Sequence, residues 1–387
     1  MQALEHIRGF ADELTAIRRD LHEHPELGFQ EVRTSGIVAE ELRRLGYAVT
    51  TGIGVTGVVG VLDGNRPGRR IGLRADMDAL PIDEETNLPW ASKMPGIMHA
   101  CGHDGHTTML LGAARYLAET RDFAGTAVLI FQPAEEGLGG ARAMIADGLF
   151  ERFPCDESYA LHNSPYDAPG RVAGKPGPAM AGANFFDITV TGRGSHAATP
   201  EQGIDALVIA AGLVRELQTI VSRNIAGTTP LVLSVTQLHA GSAYNIIPET
   251  AKLAGTIRYF DTAAADLVSE RMRAICEGAA HAHGATIDVK IRNVFDVLVN
   301  DEELSERMME VARELTGPDD VRYAGLPRMG SEDFADMLQQ VPGAYCTVGQ
   351  AGDVPLHNPA FVLDDAVLPL GAALLARMVE TRGMAAG

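Results

Sequence analysis

Thr126-Ala-Val-Leu-Ile-Phe131 runs straight into Gln132-Pro-Ala-Glu-Glu-Gly137. The apolar, β-branched run reads as a buried strand, and Pro and Gly mark the turn that ends it. Two adjacent carboxylates, Glu135 and Glu136, stand just past the strand end. Neighbouring acids repel, so a pair held together suggests a shared cation or two separate tasks. The same grammar occurs twice more. Residues 70–74 form a short apolar strand followed by Ala75-Asp76-Met77-Asp78, and the strand at 157–161 ends in His162-Asn163. A turn capped by Asp76 and Asp78 remains an equal reading of the first. Strand, then a metal-capable residue, then helix or turn points to an α/β sheet with a site along one edge.

Met98-His-Ala-Cys-Gly-His-Asp-Gly-His-Thr107 adds three histidines, a cysteine and an aspartate ahead of an apolar helix at 107–117. Cys101 and His103 can face one centre from a loop but not from a helix, where positions i and i+2 diverge. A thiolate with imidazoles suits zinc and softer divalent ions, although a polar helix start beside a buried Cys explains the cluster equally well. His22 and His24, before Pro25, read as a solvated helix end. Gly52, Gly54 and Gly57 spell the dinucleotide fingerprint, but Val58–Leu62 reads as a strand where that motif requires a helix.

Residues 170–182, rich in Gly, Pro and Ala, read as a linker. Beyond them the order is a strand at 184–192, a helix at 203–221, strands at 231–238 and 252–259, a helix at 263–282 and a strand at 285–291. This βαββαβ order is the ferredoxin-like arrangement. The expected organisation is a discontinuous mixed-sheet catalytic domain, 1–181 with 293–387, interrupted by an inserted α+β domain at 182–292. The composition is ordinary for a globular chain, with 46% hydrophobic and 21% charged residues among 387. A net charge of -19 disfavours nucleic acid and anionic membranes as partners. The four cysteines are widely spaced, the N-terminus lacks a signal-peptide core, and no apolar run reaches about 18 residues, so a cytoplasmic protein is expected.

Taken together, RADMDALPI (74–82), MHACGHDGHT (98–107), FQPAEEG (131–137), LHN (161–163), GRGSHAATP (192–200), NIIP (245–248), GTIR (255–258), GSEDF (330–334) and LHNP (356–359) resemble the metal-dependent aminoacylase and carboxypeptidase family. The likeness is greatest to its branch of hippurate, N-acyl-amino-acid and auxin-conjugate amidohydrolases. The blocks span nearly the whole chain in the family's order. The resemblance implies two divalent metals per subunit (Zn, Mn, Ni or Co), with Cys101 bridging and His103, Glu136, His162 and His357 as further ligands. It makes Glu135 the general base and gives His196 a role in stabilising the oxyanion across a dimer. It makes the inserted domain a lid that pairs subunits into a homodimer or homotetramer. Asn245, Arg258 and Gly330 become candidates for contacting substrate, and Asp76 and Asp78 for supporting the ligands. His99 and His106 read as supporting or structural.

The implied reaction is hydrolysis of N-acyl-L-amino acids to a carboxylate and a free amino acid. A dipeptidase or aminopeptidase on the same scaffold is the alternative. A metal-stabilised binding protein without catalysis is the rival from another class. The absence of Gly-x-Ser-x-Gly disfavours a serine hydrolase.

Overall fold

The computed structural model describes residues 2–323, 325 and 327–384. They form two compact units, Met1–Ala179 with Leu298–Pro327 and Asp333–Gly387, and Met180–Val297 with Arg328–Glu332.

The first unit is built on an eight-stranded mixed sheet. Its strands begin with β1 (Ala48–Ile53), β2 (Gly57–Asp63), β3 (Arg66–Asp76), β4 (Ala124–Gln132) and β5 (Glu157–Ser164). The order across the sheet is β1, β2, β4, β3, β5, then Gly343–Gly349, Val172–Gly174 and Val321–Tyr323. β4, β3, β5 and Gly343–Gly349 are mutually parallel, whereas β1 and β2 pair antiparallel. The whole of β4 is buried, as the continuous apolar run at 126–131 requires of a strand covered on both faces. Helices His103–Thr120 and Leu368–Arg382 pack closely, since a Cβ on Gly371 would lie 2.2 Å from Met109 Sδ.

Several expectations are corrected. The stretch at 170–182 is no linker: Val172–Gly174 is a sheet strand, and Gly177–Met180 is also extended. Residues 3–20, whose spacing reads as one helix, are broken at Gly9–Phe10 into Gln2–Arg8 and Ala11–Glu23. β3 runs two residues past Arg74, so Asp76 lies in the strand rather than in a turn after it. Gly52, near the end of β1, and Gly54, in the turn to β2, take positive φ in an antiparallel pair with no helix, in agreement with rejecting a nucleotide site.

The second unit has the βαββαβ order. Its strands are Gly182–Thr191, Leu231–Ala240, Thr250–Tyr259 and Thr286–Phe295, and its helices are Ala206–Asn224 and Thr262–His283. Thr250–Tyr259 and Gly182–Thr191 are central, and all pairings are antiparallel. Phe186, Ile188 and Val190 alternate into its core. Asp205 caps the first helix, accepting the Leu207 and Val208 N–H groups.

Candidate metal centre

In the first unit, four parallel strands end at the same edge, and each chain segment that leaves them carries chemistry. Asp76 closes β3, Glu135 and Glu136 follow β4, His162 lies near the end of β5, and His357 follows Gly343–Gly349. Cys101 and His103 meet the same centre because Gly102, at φ 97°, turns the chain just before the helix starts at His103. A Cβ there would lie 2.4 Å from Asn163 Oδ1, so both the conformation and the space select glycine. Ala134 (φ 54°) and His357 (φ 63°) are also left-handed, although neither is glycine. Such strain costs on the order of 1–3 kcal/mol per residue and persists where the surroundings over-determine it.

Two overlapping sets of donors share Cys101. Its Sγ, His103 and His162 form one, and Sγ, Glu136 and His357 form the other. Cys101 Sγ lies 3.4 Å from His162 Nε2, and His357 Nε2 lies 3.3 Å from Glu136 Oε1. Ligands on one tetrahedral cation, with bonds of about 2.0–2.3 Å, are separated by about that much. His103 Nε2 and Glu136 Oε1 are buried without a hydrogen-bond partner, a costly state that a cation would relieve. The donor set therefore fits divalent metals. Cys101, His103 and Glu135 are buried, Glu136 and His162 partly so, and His357 is exposed, which leaves the centre open on the His357 side.

The surroundings aim these donors. His103 Nδ1 lies 2.9 Å from the Asp78 carbonyl oxygen and 3.1 Å from Asp78 Oδ1, leaving Nε2 to face inward. The other Asp78 oxygen accepts the Glu136 N–H at 3.0 Å. Asp76 accepts from His106 Nδ1 at 2.6 Å and Arg74 Nη1 at 2.8 Å. Burial opposes its charge, but His103, Arg74 and His106 hold its carboxyl well below the usual range. Burial, reinforced by Glu136, pushes the Cys101 thiol up, so loading a metal there would displace a proton.

Three participants escaped the sequence reading. Arg74 is fully buried and also binds Gln132 Oε1 at 2.9 Å and Asp333 Oδ1 at 3.1 Å. Its spacing from Asp76, two apart on one strand face, is the signal that could have found it. The Asp333 N–H meets Glu135 Oε1 at 3.4 Å. His22 is no solvated helix end: it is buried, with Nδ1 2.8 Å from Asp104 Oδ2. His106 joins Asp76 to Asn163, whereas buried His99 has no hydrogen-bond partner at either nitrogen.

His196, Asn245, Arg258 and Gly330 all belong to the second unit. His196 is exposed, and its Nδ1 accepts the Ala198 N–H at 3.0 Å. Asn245 is exposed beside it, on the segment that pairs with Ser195–His196. Arg258 donates to Ser331 Oγ at 2.7 Å and Thr256 Oγ1 at 3.1 Å, and Gly330 O accepts the Ala181 N–H at 2.9 Å.

Residues 72–381 match peptidase family M20/M25/M40. The chain belongs to that family. Among M20 relatives, hippurate hydrolase of Campylobacter jejuni is 43% identical over 98% of each chain. Thermostable carboxypeptidase 1 of Saccharolobus solfataricus is 39% identical over 96% of each. A dinuclear metal binding peptidase of the M20 family from Bacillus subtilis superposes with a TM-score of 0.83 at 35% identity, covering 97% of this chain and 98% of that one. The fold class and the resemblance read from the motif blocks both stand. No helix among the described residues is long and apolar enough to cross a membrane.

Proposed function

We propose that this M20 protein is a two-metal amidohydrolase that cleaves N-acyl-L-amino acids, hippurate-like or N-acetylated, into a carboxylate and a free amino acid. The observation that carries the reading is the sharing of Cys101 Sγ between two sets of donors. Cys101 would bridge the two metals, with His103, Glu136, His162 and His357 completing their shells. Two divalent cations there would supply Lewis acidity, polarising the scissile carbonyl and acidifying the attacking water. Glu135, buried beside this centre, takes the proton from the water and returns it to the leaving amine. Asp78 holds the His103 and Glu136 ligands in place, and Asp76 supports the site from behind through His106 and Arg74.

The second unit serves as the lid and as the surface that pairs subunits into a homodimer or homotetramer. His196 from a partner donates to the developing oxyanion, and the exposure of its ring supports a role outside its own chain. Arg258 receives the substrate carboxylate, a match of planar fork to carboxylate, while Asn245 and Gly330 contact the rest of the substrate. Zn, Mn, Ni and Co all suit a thiolate–imidazole–carboxylate set. A peptidase acting on the same centre is the second reading, favoured by the likeness to the carboxypeptidase.

The test is metal content together with turnover on a panel of N-acyl amino acids and dipeptides, before and after chelation. Two metals per chain, with acyl-amino-acid hydrolysis lost to chelator and restored by Mn or Zn, would establish the reading. Turnover of dipeptides alone would favour the peptidase. Bound metal without any hydrolysis would favour a binding protein.

A further inference from the structure

Glu31 is fully buried and sits at the cap position of helix Val32–Arg44. A side chain there ordinarily closes the helix's first N–H groups. Glu26 does that work instead, its two oxygens accepting the Arg33 N–H at 2.9 Å and the Thr34 N–H at 2.8 Å. Glu31 thereby reaches elsewhere. One oxygen accepts the Ala134 N–H at 2.9 Å and the other the Thr56 hydroxyl at 2.6 Å.

A buried carboxylate is an expensive way to satisfy one amide and one hydroxyl. Burial pushes its carboxyl up from the ordinary value, and the Asp78 carboxylate adds to that against the two hydrogen bonds. What it holds is specific. Ala134 has left-handed φ and immediately precedes Glu135. Its carbonyl accepts the Gly140 N–H at 3.0 Å, and a Cβ on Gly28 would lie 2.9 Å from Ala134 Cβ, so the turn is enclosed from several sides. The turn at Ala134 sets the direction in which the two adjacent glutamates leave the strand.

We propose that Glu31 is a positioning residue for the reaction: its carboxylate locks the left-handed Ala134 turn, which presents Glu135 for proton transfer while Glu136 faces the metals. The inference rests on Glu135 being the base. Glu31→Gln keeps an acceptor for Ala134 and a donor for Thr56, whereas Glu31→Leu fills the space and removes both. Per metal-loaded chain, E31Q should hold kcat within about threefold of wild type. E31L should lose about 10²-fold in kcat with KM within about threefold and both metals retained. Unchanged kcat in E31L, or equal losses in E31Q and E31L, would overturn the proposal. If E31L does not fold, Thr56→Val, which strips one of the two donors, decides: lowered kcat with metal retained supports the lock, and unchanged kcat removes it. Glu135→Gln run alongside separates the two ideas. An active E135Q ends the general-base reading itself, while an inactive E135Q beside a fully active E31L ends only the role of Glu31.

Discussion

Asp78 divides its carboxylate between His103 and Glu136, with one oxygen 3.1 Å from the imidazole Nδ1 and the other accepting the Glu136 N–H at 3.0 Å. A single side chain thus sets the aim of two donors, one at the start of helix His103–Thr120 and one just after β4. Asp78→Ala should weaken metal binding by about 10–100-fold, the usual loss when a ligand's supporting partner goes. Competition with a chromogenic chelator measures it, and wild-type affinity would show that Asp78 is dispensable.

Cys101→Ala removes the atom common to both donor sets and should cost both metals. His357→Ala removes a member of one set and should leave about one metal per chain. Elemental analysis after dialysis against buffered metal distinguishes the two. Equal stoichiometry in both variants would remove the bridge.

Glu135→Gln should retain two metals while losing about 10²–10⁴-fold in turnover, the range attributable to a positioned base. Full activity at unchanged metal content would transfer proton handling to another group.

His196→Ala should reduce turnover with metal content unchanged. Mixing it with Glu135→Gln subunits under exchange conditions should regain activity, because a hybrid pair holds one centre with both functional groups. No recovery despite demonstrated exchange would place the action of His196 within its own chain.

Burial opposes a charge on His22, yet Asp104 with Glu84 raises its pKa to about 9. Between pH 6.5 and about 9 the folded chain keeps a proton that the unfolded chain has lost, so stability falls as pH rises through that window. The contribution, fully present below pH 6.5, is about 3 kcal/mol at most. His22→Gln should therefore be less stable than wild type at pH 6 and approach it above pH 9. Urea unfolding of the metal-loaded proteins across this range checks it, and a constant difference would refute the assignment.

The strand ends were legible because apolar runs stopping at Asp76, Glu135 and His162 repeat one pattern, and the inserted unit because its periodicities alternate cleanly. Local sequence could not reveal which glutamate faces which way, since that depends on the Ala134 turn and on Glu31, a residue more than a hundred positions earlier. His22 misled for the same reason. Its spacing from His24 suggested a solvated end, and only the arrival of Asp104 from another helix buries it. Of the groups that close around Arg74, only Asp76 is local in sequence; Gln132 and Asp333 come from distant segments.

The strand Gly343–Gly349 lies between β5 and Val172–Gly174, deep inside the sheet rather than at its margin. During synthesis β5 leaves the ribosome long before that neighbour exists. Its hydrogen-bonding edge stays without the native partner until the second unit's four strands have all been made. A nascent chain therefore carries an open, apolar strand edge while the insertion is being made, the kind of surface that invites mispairing. The insertion's four strands precede Gly343–Gly349 in the chain, so the larger unit's sheet is the one that must wait for a late strand.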